Sequence, residues 1–174
     1  LDITLGLSDR ALMDFSDVAL GRCPLARGAV DHPDVKGLSL LTAPMSLSPS
    51  LTIDKVRAML DTARGQYDYI LIDSPAGLGA GFRLAICGAD RALVIATNDA
   101  SSLRDAQRTV CELESIRQVH LIMNRIQPKL LRKLRATIDD AMNTAGLPLI
   151  GVVPEDDQVM LAANLGQPLT AQGR

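Results

Sequence analysis

Five short, nearly continuous apolar runs recur along the chain: Leu38–Leu41, Tyr69–Ile72, Ala92–Ala96, His120–Met123 and Leu149–Val153. They set the narrowest limit on what it can fold into. Each is too short for a stable helix, and unbroken rather than alternating hydrophobicity marks strands buried on both faces, as in parallel sheets. Between the runs lie stretches of helical period. Thr52 can cap one in which Ile53, Val56, Met59, Leu60 and Ala63 share a face, ended by Gly65. Ser101 or Ser102 can cap a second, with Ala106, Val110 and Leu113 inward and Arg104, Arg108 and Glu112 outward. A third is expected from about Lys129 to Ala145, stopping at Gly146 before Pro148. A fourth, from about Asp156, carries Val159, Met160 and Ala163. Strands alternating with helices imply right-handed crossovers onto a parallel sheet. The expected fold is therefore α/β, a mostly parallel sheet flanked by helices. No linker, repeat or low-complexity stretch divides residues 1–174, so one domain is expected.

Composition removes several functions. With 18 Lys+Arg against 20 Asp+Glu, the net charge of −2 excludes a polybasic nucleic-acid or membrane binder driven by bulk charge. Two Tyr, two Phe and no Trp exclude a stacking platform for single-stranded bases. No apolar run approaches the roughly 20 residues that span a bilayer, and no secretory leader opens the sequence. Cys23, Cys87 and Cys111 fit no CxxC spacing and read as reduced structural thiols in a cytoplasmic chain. His120 belongs to a buried strand pattern and His32 to a polar loop, neither with a second ligand at metal spacing. Lys129, Arg132, Lys133 and Arg135, interleaved with Leu130, Leu131 and Leu134, read as one outward helix face. The competing reading is a segment lying on anionic lipid.

In open α/β sheets ligands bind at the carboxyl ends of the strands. Asp73 closes the run Tyr-Ile-Leu-Ile and is followed by Ser74, Pro75, Ala76 and Gly77. A carboxylate at a strand tip beside a flexible turn suits a Walker-B-type Asp, which holds Mg²⁺ through water because a hard cation prefers anionic oxygen. From this short pattern alone, a helix cap or turn Asp is equally open.

Four strings in one order extend the pattern: IDSPAG (Ile72 to Gly77), ADRALVIATNDASSLRDAQR (Ala89 to Arg108), LIMNR (Leu121 to Arg125) and GVVPEDDQVMLAANLGQPL (Gly151 to Leu169). Together they resemble the MinD/ParA family of dimeric P-loop ATPases, the MinD branch most closely, over nearly the whole chain. The resemblance implies ATP/ADP and Mg²⁺ as cofactors and a role for each matching position. Asp73 would be the Mg²⁺-linked Walker B residue, and Ser74 to Gly77 the switch that senses the γ-phosphate. Asp2 would be the second Asp of a D-x-D switch used in hydrolysis. Asn124 and Arg125 would recognise adenine, and Pro154, Glu155 and Asp156 would close over the base. Ser101, Ser102, Arg104 and Asp105 would face a regulatory partner and the second subunit, although Thr97–Asp99 departs there from the family's T-P-E. Read without the family, Asn124 ends a strand, Asp156 caps a helix, Asp2 lies in a disordered end, and Arg104 and Arg108 form a solvated face.

The family's phosphate cradle, K-G-G-x-G-K-[ST], does not occur in these 174 residues. In the family it precedes the segment matching Asp2. The expected fold therefore lacks the first strand, P-loop and first helix, and a truncated gene or contig is favoured over a P-loop-less paralogue. Gly77, Gly79 and Gly81 cannot replace the cradle, because no Lys follows them. Losing three charge-assisted hydrogen bonds removes about 5–9 kcal/mol, and micromolar binding amounts to only about 8 kcal/mol. The chain alone is expected to bind ATP in the millimolar range or not at all, without hydrolysing it, and to leave Tyr69–Ile72 as an unpaired apolar edge. The parent is expected to be an ATP/ADP switch that forms a homodimer and positions division-site or other cell-surface structures. It would attach peripherally to the membrane only through an amphipathic C-terminal helix that these residues do not include. Nucleic acid is not an expected partner. The alternatives are a non-catalytic protein-binding module and a ParA-like DNA-segregation ATPase.

Overall fold

A computed structural model describes residues 1–129 and 137–169. The chain divides into two compact units, one made of Leu1–Pro75, Arg83–Gly88 and Asp157–Arg174, the other of Ala76–Phe82 and Ala89–Asp156.

The first unit opens with α1 (Phe15–Ala19), which begins at a reciprocal cap between Asp14 and Asp17, and α2 (Leu25–Gly28). The run Leu38–Leu41 does not enter the parallel sheet. Only Ser39–Leu40 (β2) is strand, paired antiparallel with Val30–Asp31 (β1) in a two-residue ladder. Helix α3 (Ile53–Arg64) starts where expected, at Thr52, whose hydroxyl accepts from the Lys55 N–H. It buries Val56, Met59, Leu60 and Ala63 and leaves Ile53 exposed. Val56, Met59 and Leu60 join Leu51 in a core flanked by Phe15, Val18, Leu41 and Leu84. Gly88 lies so close to Leu60 that an added Cβ would stand 2.6 Å from Cδ1. Two arginines of α3 tie down this part of the chain: Arg57 Nε donates to the Cys87 carbonyl at 2.9 Å and Arg64 Nη2 to that of Gly88 at 2.5 Å. Helix α4 (Ala80–Ile86) runs from one unit into the other.

His32 lies in the loop between β1 and β2, as expected; it is only 7% exposed, and its Nδ1 accepts from the backbone N–H groups of Asp34 and Val35. One expectation fails here for a clear reason. Tyr69–Ile72 is neither buried nor a strand: Tyr69 is 88% and Leu71 89% exposed. A strand exists only by pairing, and among the described residues none hydrogen-bonds to this stretch.

The second unit is built on a parallel sheet in the order β3–β4–β5, from Arg91–Ala96, Gln118–Ile126 and Leu149–Pro154. Val94, Ala96, Leu121 and Met123 are buried, with α5 (Ala100–Glu112) against β3 and α6 (Ile138–Ala145) against α5 and β4. Burying such a side chain stabilises by roughly 1.5–3 kcal/mol. Leu93 and Ile95 are exposed and alternate with buried Val94 and Ala96, and Ile150, Val152 and Val153 of β5 are exposed, so burial on both faces is corrected to burial on one face at β3 and none at β5. One helix from Lys129 to Ala145 is also corrected. Thr137 is extended (φ −112°, ψ 162°) and forms a capping box with Asp140, so a helix starts afresh at Ile138. Of the basic stretch, Lys129 is exposed, while Leu130, Leu131, Arg132, Lys133, Leu134 and Arg135 lie outside the described residues. Gly146 ends α6 in the left-handed region at φ 70°, where glycine is unstrained. The last helix, α7 (Asp157–Leu165), is in the first unit and buries Ala162. Val159 and Met160 on this helix are 47% and 64% exposed. No helix among the described residues is long and apolar enough to cross a membrane.

Candidate functional site

The β4–β5 ladder shifts register once between Leu121 and Ile122, and again after Met123 pairs with Val152, before resuming at Ile126 and Pro154. Asn124 and Arg125 occupy the break. Such an irregularity turns side chains out of the ladder at a strand end. Arg125 has φ 53°, the one positive φ of a non-glycine among the described residues. That conformation costs on the order of 1 kcal/mol or more. It is held from several sides. Asn124 Oδ1 accepts from the Arg125 N–H at 2.9 Å, and the Glu155 N–H donates to the Ile126 carbonyl at 3.1 Å. Glu155 Oε1 accepts from Arg125 Nε at 3.2 Å and from Nη2 at 2.9 Å. Gln127 Nε2 donates to Glu155 Oε2. Gln127 and then Arg125 hold the Glu155 carboxyl below the usual range. Asn124, Arg125, Pro154 and Glu155 thus gather at one end of the sheet, with exposed Asp156 just before α7. Gln127 was not singled out in the sequence. Its reach across to β5 depends on a register that sequence spacing does not carry.

A second cluster opens α5. The cap is Asp99, not Ser101 or Ser102, because the helix begins at Ala100. Asp99 Oδ1 accepts from the Ser102 N–H at 2.9 Å and the Ser101 hydroxyl at 2.6 Å, and Thr97 Oγ1 donates to Oδ2. Ser102 Oγ in turn accepts from the Thr97 N–H at 3.0 Å. The hydroxyls of Ser101 and Thr97, then the Ser102 amide, hold the Asp99 carboxyl far below its ordinary value. Arg104 is exposed, and Asp105 lies 3.6 Å from Arg108 as an exposed pair. These hydrogen bonds fix this end of α5.

In the first unit, the Asp73 carboxylate is exposed and has no hydrogen bond or ion pair among the described residues. The Ser74 hydroxyl donates to the Pro75 carbonyl at 3.4 Å. Gly77, in the second unit, has φ 83°, which suits the tight turn before α4. Asp2 is half-buried in a turn, its carbonyl accepting from the Leu7 N–H at 2.8 Å, and no hydrogen bond joins it to Asp73. Among the described residues no three His, Cys, Asp or Glu gather to cage a metal ion. The open Asp73 carboxylate is a hard anionic oxygen donor of the kind a divalent cation accepts.

No protein-family model matches the chain. The septum site-determining protein MinD of Helicobacter pylori is 39% identical over 180 residues, which takes in 97% of this chain and 67% of that protein. A chain of the MinC:MinD cell division protein complex of Aquifex aeolicus superposes with a TM-score of 0.89 at 33% identity, covering 99% of this chain and 71% of that one. The septum site-determining protein MinD of Pyrococcus horikoshii, solved with Mg-ADP, has a TM-score of 0.81 at 22% identity, a likeness of fold, over 100% of this chain and 72% of that one. The chain spans about two thirds of the length of the curated relatives it matches.

Proposed function

The chain belongs to the MinD family of septum site-determining proteins, with its α/β P-loop NTPase fold, and from that premise we propose that it works as part of an ATP/ADP switch placing the division site. The observation that carries this reading is Asp73, an open carboxylate at the end of an apolar segment, followed by the Ser74–Gly77 turn. Asp73 would hold Mg²⁺ through water, and Ser74 to Gly77 would respond to the γ-phosphate. When bound, Mg²⁺ neutralises charge on the phosphates. Asn124 and Arg125 would meet the adenine base, with Pro154 and Asp156 against it, and Asp2 would orient the attacking water. The Mg-ADP in the Pyrococcus structure supports this cofactor choice. ATP would favour a homodimer and hydrolysis would release it. The end of α5, with Ser101, Ser102, Arg104 and Asp105, would receive a regulatory protein. The Aquifex complex supports a partner of that kind. The protein would act in the cytoplasm, peripheral to the membrane where a further amphipathic segment anchors it. The hydrogen-bonded network around Asp99 favours one second reading, a protein-binding module that needs no nucleotide.

Because no K-G-G-x-G-K-[ST] cradle occurs in these 174 residues, they are expected to bind Mg-ATP at best in the millimolar range and to release no phosphate. A low-micromolar constant in isothermal titration overturns that expectation. Asp73→Asn is expected to abolish whatever gain in ADP affinity Mg²⁺ gives. An equal gain in both proteins removes Asp73 from the site and leaves the binding-module reading.

A further inference from the structure

Three side chains meet at one carboxylate: Arg125 and Gln127 both donate to Glu155. Arg125 leaves the ladder at the break in β4, Gln127 is the first residue after that strand, and Glu155 stands just beyond β5. Glu155 Oε1 takes two of the five guanidinium N–H groups, while Oε2 is occupied by Gln127. The carboxylate is thus fixed at both oxygens and through its own backbone N–H to Ile126. Arg125 nevertheless stays largely exposed, and its hydrogen bonds to Glu155 use Nε and Nη2, not Nη1.

We propose that Glu155 and Gln127 are positioning residues that hold the Arg125 guanidinium in one orientation, so that it meets a purine base already set, without touching the base themselves. The inference rests on the nucleotide reading above and gives Glu155 a different part from base contact. Its physical ground is entropy. A long flexible cation that must be ordered by its ligand binds weakly, and one ordered beforehand loses less on binding. The left-handed backbone at Arg125 has the same sense, since strain kept at a sheet end needs a surrounding that over-determines it.

The test uses the ¹⁵N-labelled chain. Without ligand, the Arg125 Nε–H signal is expected to be resolved and rigid, and to become mobile in Glu155→Gln and, less so, in Gln127→Leu. With millimolar AMP, the wild-type amides of Asn124 and Arg125 are expected to shift, and more than with GMP. Glu155→Gln is expected to weaken AMP about tenfold and to reduce the preference over GMP, at an unchanged melting temperature. Glu155→Asp, which keeps the charge, is expected to recover part of the loss. Wild-type affinity and preference in both Glu155→Gln and Gln127→Leu overturn the inference and leave the nucleotide reading standing. So does a wild-type Nε–H as mobile as that of the variants. Absence of any AMP shift at Asn124 and Arg125 in the wild type overturns the inference and leaves the nucleotide reading standing, since these 174 residues alone are expected to bind nucleotide weakly or not at all.

Discussion

Asp99 shows how much one carboxylate can organise when it ends a strand and starts a helix. Its charged form is favoured by hydroxyl and amide donors, so its pKa in the folded chain lies well below the unfolded value of about 3.9. A depressed carboxylate adds stability that is complete above the unfolded value and is lost as pH falls through the folded one. The melting temperature of the wild type is therefore expected to fall below about pH 5. In Asp99→Asn, which keeps the cap but not the charge, that fall is expected to be shallower. Melting curves between about pH 3 and pH 6 check it. Gly6 works by the absence of a side chain. It sits at φ 66°, and a Cβ there would stand 2.6 Å from the Gly166 carbonyl oxygen. Gly6→Ala is expected to cost about 2 kcal/mol in urea unfolding, from left-handed strain plus a backbone collision that no rotamer relieves.

Helix α6 owes its start to Thr137 and Asp140, each accepting from the other's backbone N–H. Thr137→Ala is expected to cost about 1 kcal/mol and to speed amide exchange in the first turn of the helix. This cap stood in the sequence as Thr-x-x-Asp, yet the leucine spacing from Leu130 masked it, because helical period says nothing about where one helix stops and another begins. Thr52 was legible for the opposite reason: its cap and the apolar face it introduces follow in one uninterrupted stretch. The cap at Asp99 lay in the letters too, two residues before the serines that drew attention. Strands were readable only in part. β3, β4 and β5 formed because partners lie beside them, whereas Tyr69–Ile72, just as apolar, has no partner among the described residues. Of the candidate site, Asn124, Arg125 and Glu155 were legible through their family strings. The link that joins them through Gln127 was not, because it is a product of strand register.

At the scale of the whole molecule, the chain buries apolar side chains on one face of its sheet and exposes others, with Leu71 and Ile95 among the most accessible. Exposed apolar strands and segments with free backbone groups invite pairing with other chains. Leu71→Lys is expected to leave stability within about 0.5 kcal/mol, since the side chain packs on little. The same change is expected to raise the concentration at which light scattering first detects aggregates. The same stretch has an optical consequence. With no tryptophan and two tyrosines in the sequence, ultraviolet emission comes from phenol rings alone, and Tyr69 is the bare one. A chain that pairs along that stretch would screen its ring from quenchers dissolved in the buffer, so tyrosine quenching reports whether the stretch is covered.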